Sequence, residues 1–271
     1  MSLTEEEIHR YSRQIILPEV GGIGQERLKR SRVLVVGAGG LGSPAALYLA
    51  AAGVGTLGLC DADRVDLTNL QRQILHGTPD VGRPKVESGA EALRRLNPGV
   101  RVVEHPVRLA AANALDVIRG YDVVVDGTDT FRSKFLVNDA CVAVGVPYVY
   151  AGILRFEGQI LTVVPGRGPC YRCFFREPPP PGSVPTCAQA GILGAVAGVM
   201  GSLQALEVLK LLLGVGEPLV GRLVVFDGEA LTFREVRVRR DPQCPACGEE
   251  PYRRPVADEA EETCRAPEAG C

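Results

Sequence analysis

A glycine-rich segment, GAGGLG at residues 37–42, follows an apolar run and satisfies the pattern GxGxxG. Glycines in this pattern let the backbone approach a phosphate, and a helix that begins there offers free N–H groups and the positive end of its dipole. Asp61 ends the next apolar run, where a carboxylate can accept hydrogen bonds from ribose hydroxyls. The candidate nucleotide ligands are Gly37, Gly39, Gly40, Gly42 and Asp61. Taken alone, they suit an NAD-dependent dehydrogenase as well as any other nucleotide-binding enzyme.

Polar and cationic residues after Asp61 favour a different nucleotide chemistry. Segment 63–74 contains Arg72 and is followed by Lys85, so both cations are expected near the same edge of the sheet. Asp129 follows a further apolar run in DGTDT, again at an expected strand end. An NAD site has little need of cations beside its pyrophosphate. A triphosphate that is cleaved between its α and β phosphates needs Arg and Lys to hold its charge and a carboxylate to hold Mg²⁺.

Four of the nine cysteines form two CxxC pairs, Cys170 with Cys173 and Cys244 with Cys247. Cytosolic thiols normally stay reduced, so clustered cysteines indicate a metal site more than disulfides. Four thiolates complete a tetrahedral Zn²⁺ site that has no open position for chemistry. We therefore expect a structural zinc ion that joins two segments lying far apart in the chain.

The other cysteines carry different expectations. Cys60 and Cys141 lie in apolar contexts and are expected in the core. Cys264 and Cys271 belong to no motif. Cys187 follows a Pro-rich loop and precedes a helix that begins with glycine, a place where the helix dipole can lower the pKa of a thiol.

The apolar runs that carry these residues predict the fold. Near-continuous Val and Leu strands alternate with helical patterns over roughly the first 150 residues, which is typical of a parallel sheet covered on both faces. Later strands follow short turns and are expected to be antiparallel. The sequence predicts an α/β fold with a Rossmann-like, doubly wound mixed sheet, parallel in its N-terminal half and antiparallel in its C-terminal half. The expected strands are 32–37, 57–61, 101–105, 122–126, 147–152, 158–164, 222–226 and 231–238, and the expected helices between the first five strands are 41–52, 85–96, 111–118 and 132–144.

Composition divides the chain into one domain, a loop and a tail. Residues 1–248 are expected to form a single domain. Within it, 174–186 are expected to form a mobile loop, because consecutive prolines cannot join a helix or a central strand. Residues 249–271 are rich in acidic residues and prolines without periodicity, so we expect this tail to be disordered.

Charge and hydropathy argue against several classes of protein. A formal net charge of −2 argues against a nucleic-acid binder, which needs a surplus of Lys and Arg. The polar, acidic N-terminus does not resemble a signal peptide. A charge-free stretch, 178–206, runs into a helical pattern in which Gln204, Glu207 and Lys210 share one face, which favours a buried core or interface helix over a membrane span. We expect a cytoplasmic protein that contacts neither membranes nor nucleic acid.

The chain resembles the E1-like activating enzymes typified by MoeB and ThiF. The resemblance covers about residues 4 to 248 and is specific, because eight separate motifs occur in the order found in the family. It is closer to MoeB-type proteins than to eukaryotic E1 enzymes. The matching motifs are RYSRQIILP (10–18), GAGGLGS (37–43), LTNLQRQ (67–73), VGRPKVES (81–88), DGTDT (126–130), PCYRCFF (169–175), TCAQAG (186–191) and CPACG (244–248).

This resemblance implies a reaction and a role for each matching residue. Residues 1–248 are expected to adenylate the C-terminal glycine of a small ubiquitin-like sulfur-carrier protein with ATP, releasing pyrophosphate. Gly40 is expected against the phosphates, Asp61 on the ribose, and Asp129 on Mg²⁺. The triphosphate contacts carried over from the family are Asn69, Arg72 and Lys85.

The resemblance also implies partners. Arg13 is expected to reach the nucleotide of a second subunit, so that the site is complete only in a homodimer. The carrier ends in Gly-Gly and serves molybdopterin, thiamine or tRNA thiolation, and a cysteine desulfurase or rhodanese supplies the sulfur. Cys187 matches a cysteine that forms a covalent link to the carrier in some members of the family but is dispensable for adenylation.

Two other functions stay open at this point. The first is an NAD(P)-dependent oxidoreductase, which the glycine-rich segment and Asp61 alone would fit. The second is a non-catalytic nucleotide-binding scaffold stabilised by zinc. Pyrophosphate exchange that depends on a carrier distinguishes both from an adenylyltransferase.

Overall fold

The computed structural model describes residues 2–180, 183, 190–249 and 256–258. Its strands are β1 (Arg32–Val36), β2 (Thr56–Cys60), β3 (Arg101–His105), β4 (Val123–Asp126), β5 (Tyr148–Leu154), β6 (Glu157–Val163), β7 (Arg222–Asp227) and β8 (Thr232–Arg237). They form one sheet in the order β3-β2-β1-β4-β5-β6-β7-β8. Strands β1 to β5 pair in parallel, and β5 to β8 pair antiparallel. The predicted mixed sheet is confirmed, and its strand order reverses between β1 and β4.

Helices cover both faces of this sheet. Alternate residues of β1 point to opposite faces: Val33 and Val35 join one apolar cluster, and Leu34 joins the other. The α-helices are α1 (Glu5–Arg10), α2 (Ser12–Ile15), α3 (Gly21–Arg30), α4 (Gly42–Ala51), α5 (Lys85–Leu96), α6 (Ala114–Ile118), α7 (Phe131–Val144), α8 (Tyr171–Phe174) and α9 (Gly194–Leu213). The first cluster also contains residues of α3, α4, α5 and α9, and the second contains residues of α6 to α8.

Helices α1 to α3 precede the first strand and dock through side-chain amides. The Asn97 side chain donates to the Tyr11 hydroxyl at 2.8 Å and to the Ala50 carbonyl at 2.7 Å. Gln25 donates from the same region to the Ala52 carbonyl at 2.9 Å. Helix α1 buries no residue, so it shows no apolar periodicity. Its one sequence signal is the capping box that begins at Thr4.

Helix α9 is long and apolar enough to cross a membrane by length and composition. It packs instead against α4 and the sheet, as the sequence indicated. Gln204 is fully buried and donates to the carbonyls of Asp126 and Val149 at 2.8 and 2.9 Å. The Glu207 carboxylate accepts a hydrogen bond from the Thr162 hydroxyl at 2.5 Å. These polar contacts with the sheet are those of a core helix.

Most predicted elements agree with the structure to within a few residues. Helix α6 begins later than the predicted 111–118, after a turn in which the Asn113 side chain accepts a hydrogen bond from the Ala110 N–H at 2.9 Å. Strand β5 continues beyond the predicted 147–152, since it pairs with β6 along its whole length.

Part of the expected mobile loop and most of the expected disordered tail lie outside the described residues. Within 174–186, residues 181, 182 and 184–186 lie outside them, as do 250–255 and 259–271 of the tail. Cys187, Cys264 and Cys271 lie outside them as well. Of the tail beyond residue 249, residues 256–258 are described. There the Asp258 carboxylate accepts a hydrogen bond from the Ala111 N–H at 3.1 Å.

Candidate active site

A cavity of about 610 Å³ opens at the carboxyl ends of β1, β2 and β4. This is the point where the strand order reverses, which is where ligands bind in open α/β sheets. Seven of the residues predicted from the sequence line it together, namely Gly37, Gly39, Gly40, Asp61, Arg72, Lys85 and Asp129. Three other predicted residues, Arg13, Gly42 and Asn69, are not part of its lining.

The glycine-rich turn after β1 packs directly on the turn after β4. Gly37 has a φ of +90°, and a Cβ atom there would lie 2.7 Å from the Gly127 carbonyl oxygen. A Cβ atom on Gly127 would lie 2.6 Å from the Gly37 carbonyl oxygen. No side chain fits between the two turns, so glycine is required at both positions. Gly42 begins α4 against the Gly37 carbonyl, which places it in the packing of the turn.

Asp61 holds this turn from the end of β2. One of its carboxylate oxygens accepts a hydrogen bond from the Ala38 N–H at 2.9 Å, and the other accepts from the Asp63 N–H at 2.8 Å. The buried Lys85 ammonium lies 3.8 Å from Asp61 and 3.1 Å from Asp63. The turn, the carboxylate and the cation are thus held as one unit at the cavity wall.

Arg72 approaches the same turn from segment 63–74. It donates to the Thr68 carbonyl at 3.1 Å, and its Cγ atom lies 3.3 Å from where a Cβ atom on Gly40 would be. The aliphatic part of the Arg72 side chain therefore lies beside the glycine predicted to contact phosphate. Asn69 has a local role here, since its side chain accepts a hydrogen bond from the Asp66 N–H at 3.2 Å.

Two residues to which the sequence assigned no role support this wall. The His76 ring lies 3.0 Å from the Ala38 carbonyl oxygen and 2.9 Å from the Ser88 hydroxyl. Burial lowers the pKa of His76, which favours the neutral ring. Gln73 lines the cavity and is 4% exposed, and its buried amide oxygen has no hydrogen-bond partner among the described residues. Its position next to Arg72 was the available sequence signal.

Asp129 lies in the loop between β4 and α7. It is exposed, lines the cavity, and makes no hydrogen bond or ion pair within the part of the chain that the structure describes. The next residue, Thr130, caps α7 by accepting a hydrogen bond from the Ser133 N–H at 3.2 Å. A carboxylate held at a helix start and free of protein partners can hold a divalent cation.

Apolar side chains line another part of the cavity, among them Val36, Val107, Leu109 and Leu136. These surroundings suit a nucleoside base, which needs apolar contact. Cys60 also lines the cavity, and burial raises the pKa of its thiol to about 12, which makes it a poor nucleophile. Cys60 and Cys141 are buried, as predicted.

Arg13 lies on α2, exposed and outside the cavity of its own chain. This position leaves the side chain available to another molecule. A contact with the nucleotide of a second subunit stays a prediction.

The four CxxC cysteines come together and are not part of the cavity lining. Their Sγ atoms lie within 4.8 Å of one another, with Cys170 3.5 Å from Cys244 and Cys173 3.5 Å from Cys247. Four thiolates around Zn²⁺ are separated by about 3.8 Å, so this cluster fits the ion. Hydrogen bonds from Cys170 and Cys173 lower the pKa of the Cys247 thiol to about 7, toward the thiolate that a metal requires.

Helix α7 positions the first pair of these cysteines. The Asn138 side chain accepts a hydrogen bond from the Tyr171 N–H at 2.8 Å, at the start of α8. Both carboxylate oxygens of the neighbouring Asp139 accept hydrogen bonds from the Arg172 guanidinium, from Nε at 2.8 Å and from Nη2 at 2.7 Å. Bidentate pairs of this kind fix orientation as well as distance. The segment between Cys170 and Cys173 is therefore oriented by the helix that begins beside the cavity.

The sequence was compared with protein-family models and with known proteins, and both comparisons found clear similarity. The ThiF family matches residues 11–246. A sulfur carrier protein adenylyltransferase of Thermus thermophilus is 52% identical over 263 residues, which cover 95% of this chain and 97% of that protein. An adenylyltransferase and sulfurtransferase MOCS3 of Mus musculus is 54% identical over 251 residues, which cover 92% of this chain but 55% of that longer protein.

The fold likeness extends to solved structures. The crystal structure of E. coli MccB with ATP superposes with a TM-score of 0.78 at 26% sequence identity, covering 89% of this chain and 75% of that chain. The predicted motifs, the fold and these relatives agree. The chain belongs to the ThiF family.

Proposed function

We propose that this chain adenylates the C-terminal glycine of a small ubiquitin-like sulfur-carrier protein with ATP. One observation carries the proposal: a cavity is lined by the glycine-rich turn, by the predicted cations Arg72 and Lys85, and by the Asp129 carboxylate, which has no hydrogen-bond or ion-pair partner among the described residues. The printed name of the Thermus relative, a sulfur carrier protein adenylyltransferase, supports it. The extra cations argue against the oxidoreductase alternative, since hydride transfer needs no charge stabilisation at a triphosphate.

In the proposed reaction, the carboxylate of the carrier attacks the α-phosphorus of ATP. A new C–O–P linkage forms, the bond between the α-phosphorus and the bridging oxygen breaks, and pyrophosphate leaves with that electron pair. A carboxylate is already ionised near pH 7, so no general base is required. The His76 ring contacts Ala38 and Ser88, which agrees with a positioning role. Catalysis then rests on position and on charge stabilisation.

Each cavity residue takes one part of this task. The glycine-rich turn and the start of α4 approach the phosphates, where backbone N–H groups and the helix dipole favour negative charge. Arg72 and Lys85 hold the charge that develops as pyrophosphate leaves. Asp61 binds the ribose while one of its oxygens keeps the Ala38 hydrogen bond.

Two metal ions complete the proposal. Asp129 would hold Mg²⁺ bound to the triphosphate, and its exposed carboxylate fits this ion, which prefers oxygen ligands and shares them with phosphates. Bound there, Mg²⁺ neutralises phosphate charge. Zinc in the four-cysteine cluster would be structural, because all four positions of a tetrahedral ion are taken by Cys170, Cys173, Cys244 and Cys247.

The protein is proposed to act in the cytoplasm as a homodimer, with Arg13 of each subunit reaching the nucleotide of the other. Its partners are a carrier that ends in Gly-Gly and a sulfur donor such as a cysteine desulfurase or rhodanese. Cys187 is proposed to be dispensable for adenylation and available for a covalent link to the carrier. Molybdopterin, thiamine and tRNA thiolation are all compatible with this chemistry.

The direct test is exchange of labelled pyrophosphate into ATP, with and without a purified carrier ending in Gly-Gly. Exchange that requires both the carrier and its last glycine supports an adenylyltransferase. Hydride transfer to NAD(P) without exchange would support the oxidoreductase instead. Nucleotide binding with neither reaction would support the scaffold.

Replacement of Asp129 tests the cation site. Asp129→Asn is expected to lower carrier-dependent pyrophosphate exchange on the order of 100-fold, because a group that stabilises charge in the transition state is lost. The fold is expected to be intact, since the side chain is exposed. Asp116→Asn, an exposed carboxylate on α6, is the control and keeps wild-type exchange. Wild-type exchange in Asp129→Asn contradicts the assigned site.

Mixing two inactive variants tests the shared site. Arg13→Ala and Asp129→Ala are each expected to lose exchange, and a mixture is expected to regain part of it. Mixed dimers contain one site in which both groups are intact, provided that the subunits exchange. Arg119→Ala, an exposed arginine outside the cavity lining, serves as the control for loss of charge. No recovery despite demonstrated subunit exchange contradicts a site shared between subunits.

Removal of one cluster thiol tests the zinc site. Cys244→Ser is expected to lose zinc and to lower the melting temperature more than it weakens nucleotide binding, since none of the four cysteines lines the cavity. Cys141→Ser is a matched control, because Cys141 is buried but lies outside the cluster; it is expected to keep zinc. Freshly purified, reduced wild-type protein that contains no zinc contradicts the assignment.

A further inference from the structure

Lys134, on the first turn of α7, is one of the most enclosed cations in the described chain. Its side chain is 7% exposed, yet it lines the cavity. The ammonium donates to the Thr128 carbonyl at 2.8 Å and to the Ala151 carbonyl at 2.7 Å. It also lies 3.6 Å from the Asp126 carboxylate and 4.9 Å from the centre of the Tyr150 ring. Burying an ammonium is costly, and these partners offset that cost.

These contacts immobilise the residue that precedes Asp129. One oxygen of the fully buried Asp126 carboxylate accepts from the Thr128 N–H at 3.0 Å and from its hydroxyl at 2.6 Å. The Thr128 carbonyl accepts a hydrogen bond from the Lys134 ammonium. Every polar group of Thr128 is therefore bonded, and all these bonds lead to one buried ion pair.

The loop that carries Asp129 is fixed at both ends. Thr128 is held by the ion pair, and Thr130 is held as the cap of α7. Lys134 also binds Ala151 of β5, so the loop is tied to a strand that does not itself carry a predicted nucleotide ligand. Asp129 itself makes no such bond within the described residues, and its position is set by its neighbours.

We propose that Lys134 is a positioning residue for adenylation: paired with Asp126, it holds the loop after β4 so that the Asp129 carboxylate points into the nucleotide cavity. This inference rests on the proposed function, in which Asp129 holds Mg²⁺. It adds a residue that none of the sequence motifs singled out. The ammonium contacts the loop backbone and acts through Asp129.

Replacement of Lys134 gives different results if its ion pair with Asp126 only stabilises the fold and if the pair also positions Asp129. Loss of a buried partner lowers stability wherever the pair lies. Loss of position changes the Mg²⁺ dependence and the turnover of the site, and these changes depend on the presence of Asp129. A double-mutant cycle separates the two roles, because residues that act as one unit give non-additive effects.

The test measures carrier-dependent pyrophosphate exchange against Mg²⁺ concentration in full-length Lys134→Gln. We expect turnover to fall about tenfold and the Mg²⁺ concentration for half-maximal exchange to rise severalfold. The Mg²⁺ concentration for half-maximal ATP binding, measured without carrier, is expected to rise by a similar factor. In an Asp129→Asn background, Lys134→Gln is expected to cause less than a twofold further loss of turnover. Lys134→Arg, which keeps the charge and the donors, is expected to restore part of the activity and of the Mg²⁺ dependence.

Lys210→Gln is the matched control. Lys210 also pairs with a buried carboxylate, Glu207 at 2.5 Å, but lies outside the cavity lining. Its replacement is expected to lower the melting temperature while leaving the Mg²⁺ midpoint unchanged. If Lys134→Gln does not fold, Thr128→Ala replaces it, because it removes one loop contact and keeps the ion pair; it is expected to shift the Mg²⁺ midpoint in the same direction.

The outcomes are distinguishable. Wild-type exchange in Asp129→Asn overturns the proposed role of Asp129 and the Lys134 inference with it. An impaired Asp129→Asn together with an unchanged Mg²⁺ midpoint in Lys134→Gln, or in Thr128→Ala where that variant is used, overturns the inference alone. Fully additive losses in the double variant also overturn it, because they indicate a structural role.

Discussion

The geometry of the site depends on one close backbone contact, between the turn after β1 and the turn after β4. Gly37 and Gly127 approach so closely that a Cβ atom on either would lie under 3 Å from the carbonyl oxygen of the other. This contact brings the glycine-rich turn and the loop of Asp129 to one cavity. Asp61 then holds the first turn through Ala38, and Lys134 holds the second through Thr128. A side chain at either glycine would separate the phosphate-binding backbone from the carboxylate.

Helix α7 extends this arrangement to the four-cysteine cluster. Its first turn carries Lys134 beside the cavity, and the next turn carries Asn138 and Asp139, which bind the segment that holds Cys170 and Cys173. One rigid helix thus contacts both the proposed catalytic loop and the proposed metal site. Structural zinc binding releases about 10–16 kcal/mol in small zinc domains, so a metal here would strongly favour the orientation of α8 relative to α7.

Sequence reasoning was most successful where a pattern is local. Helix α5 and strand β3 have the predicted bounds, since their apolar periodicity and flanking residues lie within a single segment. Helices α1 to α3 were missed, because α1 and α2 bury no residue and α3 docks through Gln25 and the single core leucine Leu28.

Within the site, the residues found from sequence carry their chemistry in motifs, while the supporting residues do not. Lys134 looks like an ordinary surface cation in sequence, because its partner Ala151 lies on a separate strand. The role of His76 likewise depends on a turn folding back to Ala38. Asn69 and Gly42 make contacts within and between neighbouring turns, and the nucleotide contacts expected of them stay predictions.

The central claim is that this cavity joins AMP to the end of a protein. The most direct measurement is the intact mass of a purified carrier ending in Gly-Gly after incubation with ATP and this protein, together with the pyrophosphate released. The account predicts an acyl-adenylate on the carrier, formed in step with pyrophosphate and absent when the last glycine is deleted. A carrier of unchanged mass with no pyrophosphate release, under conditions in which the protein binds ATP, would contradict it.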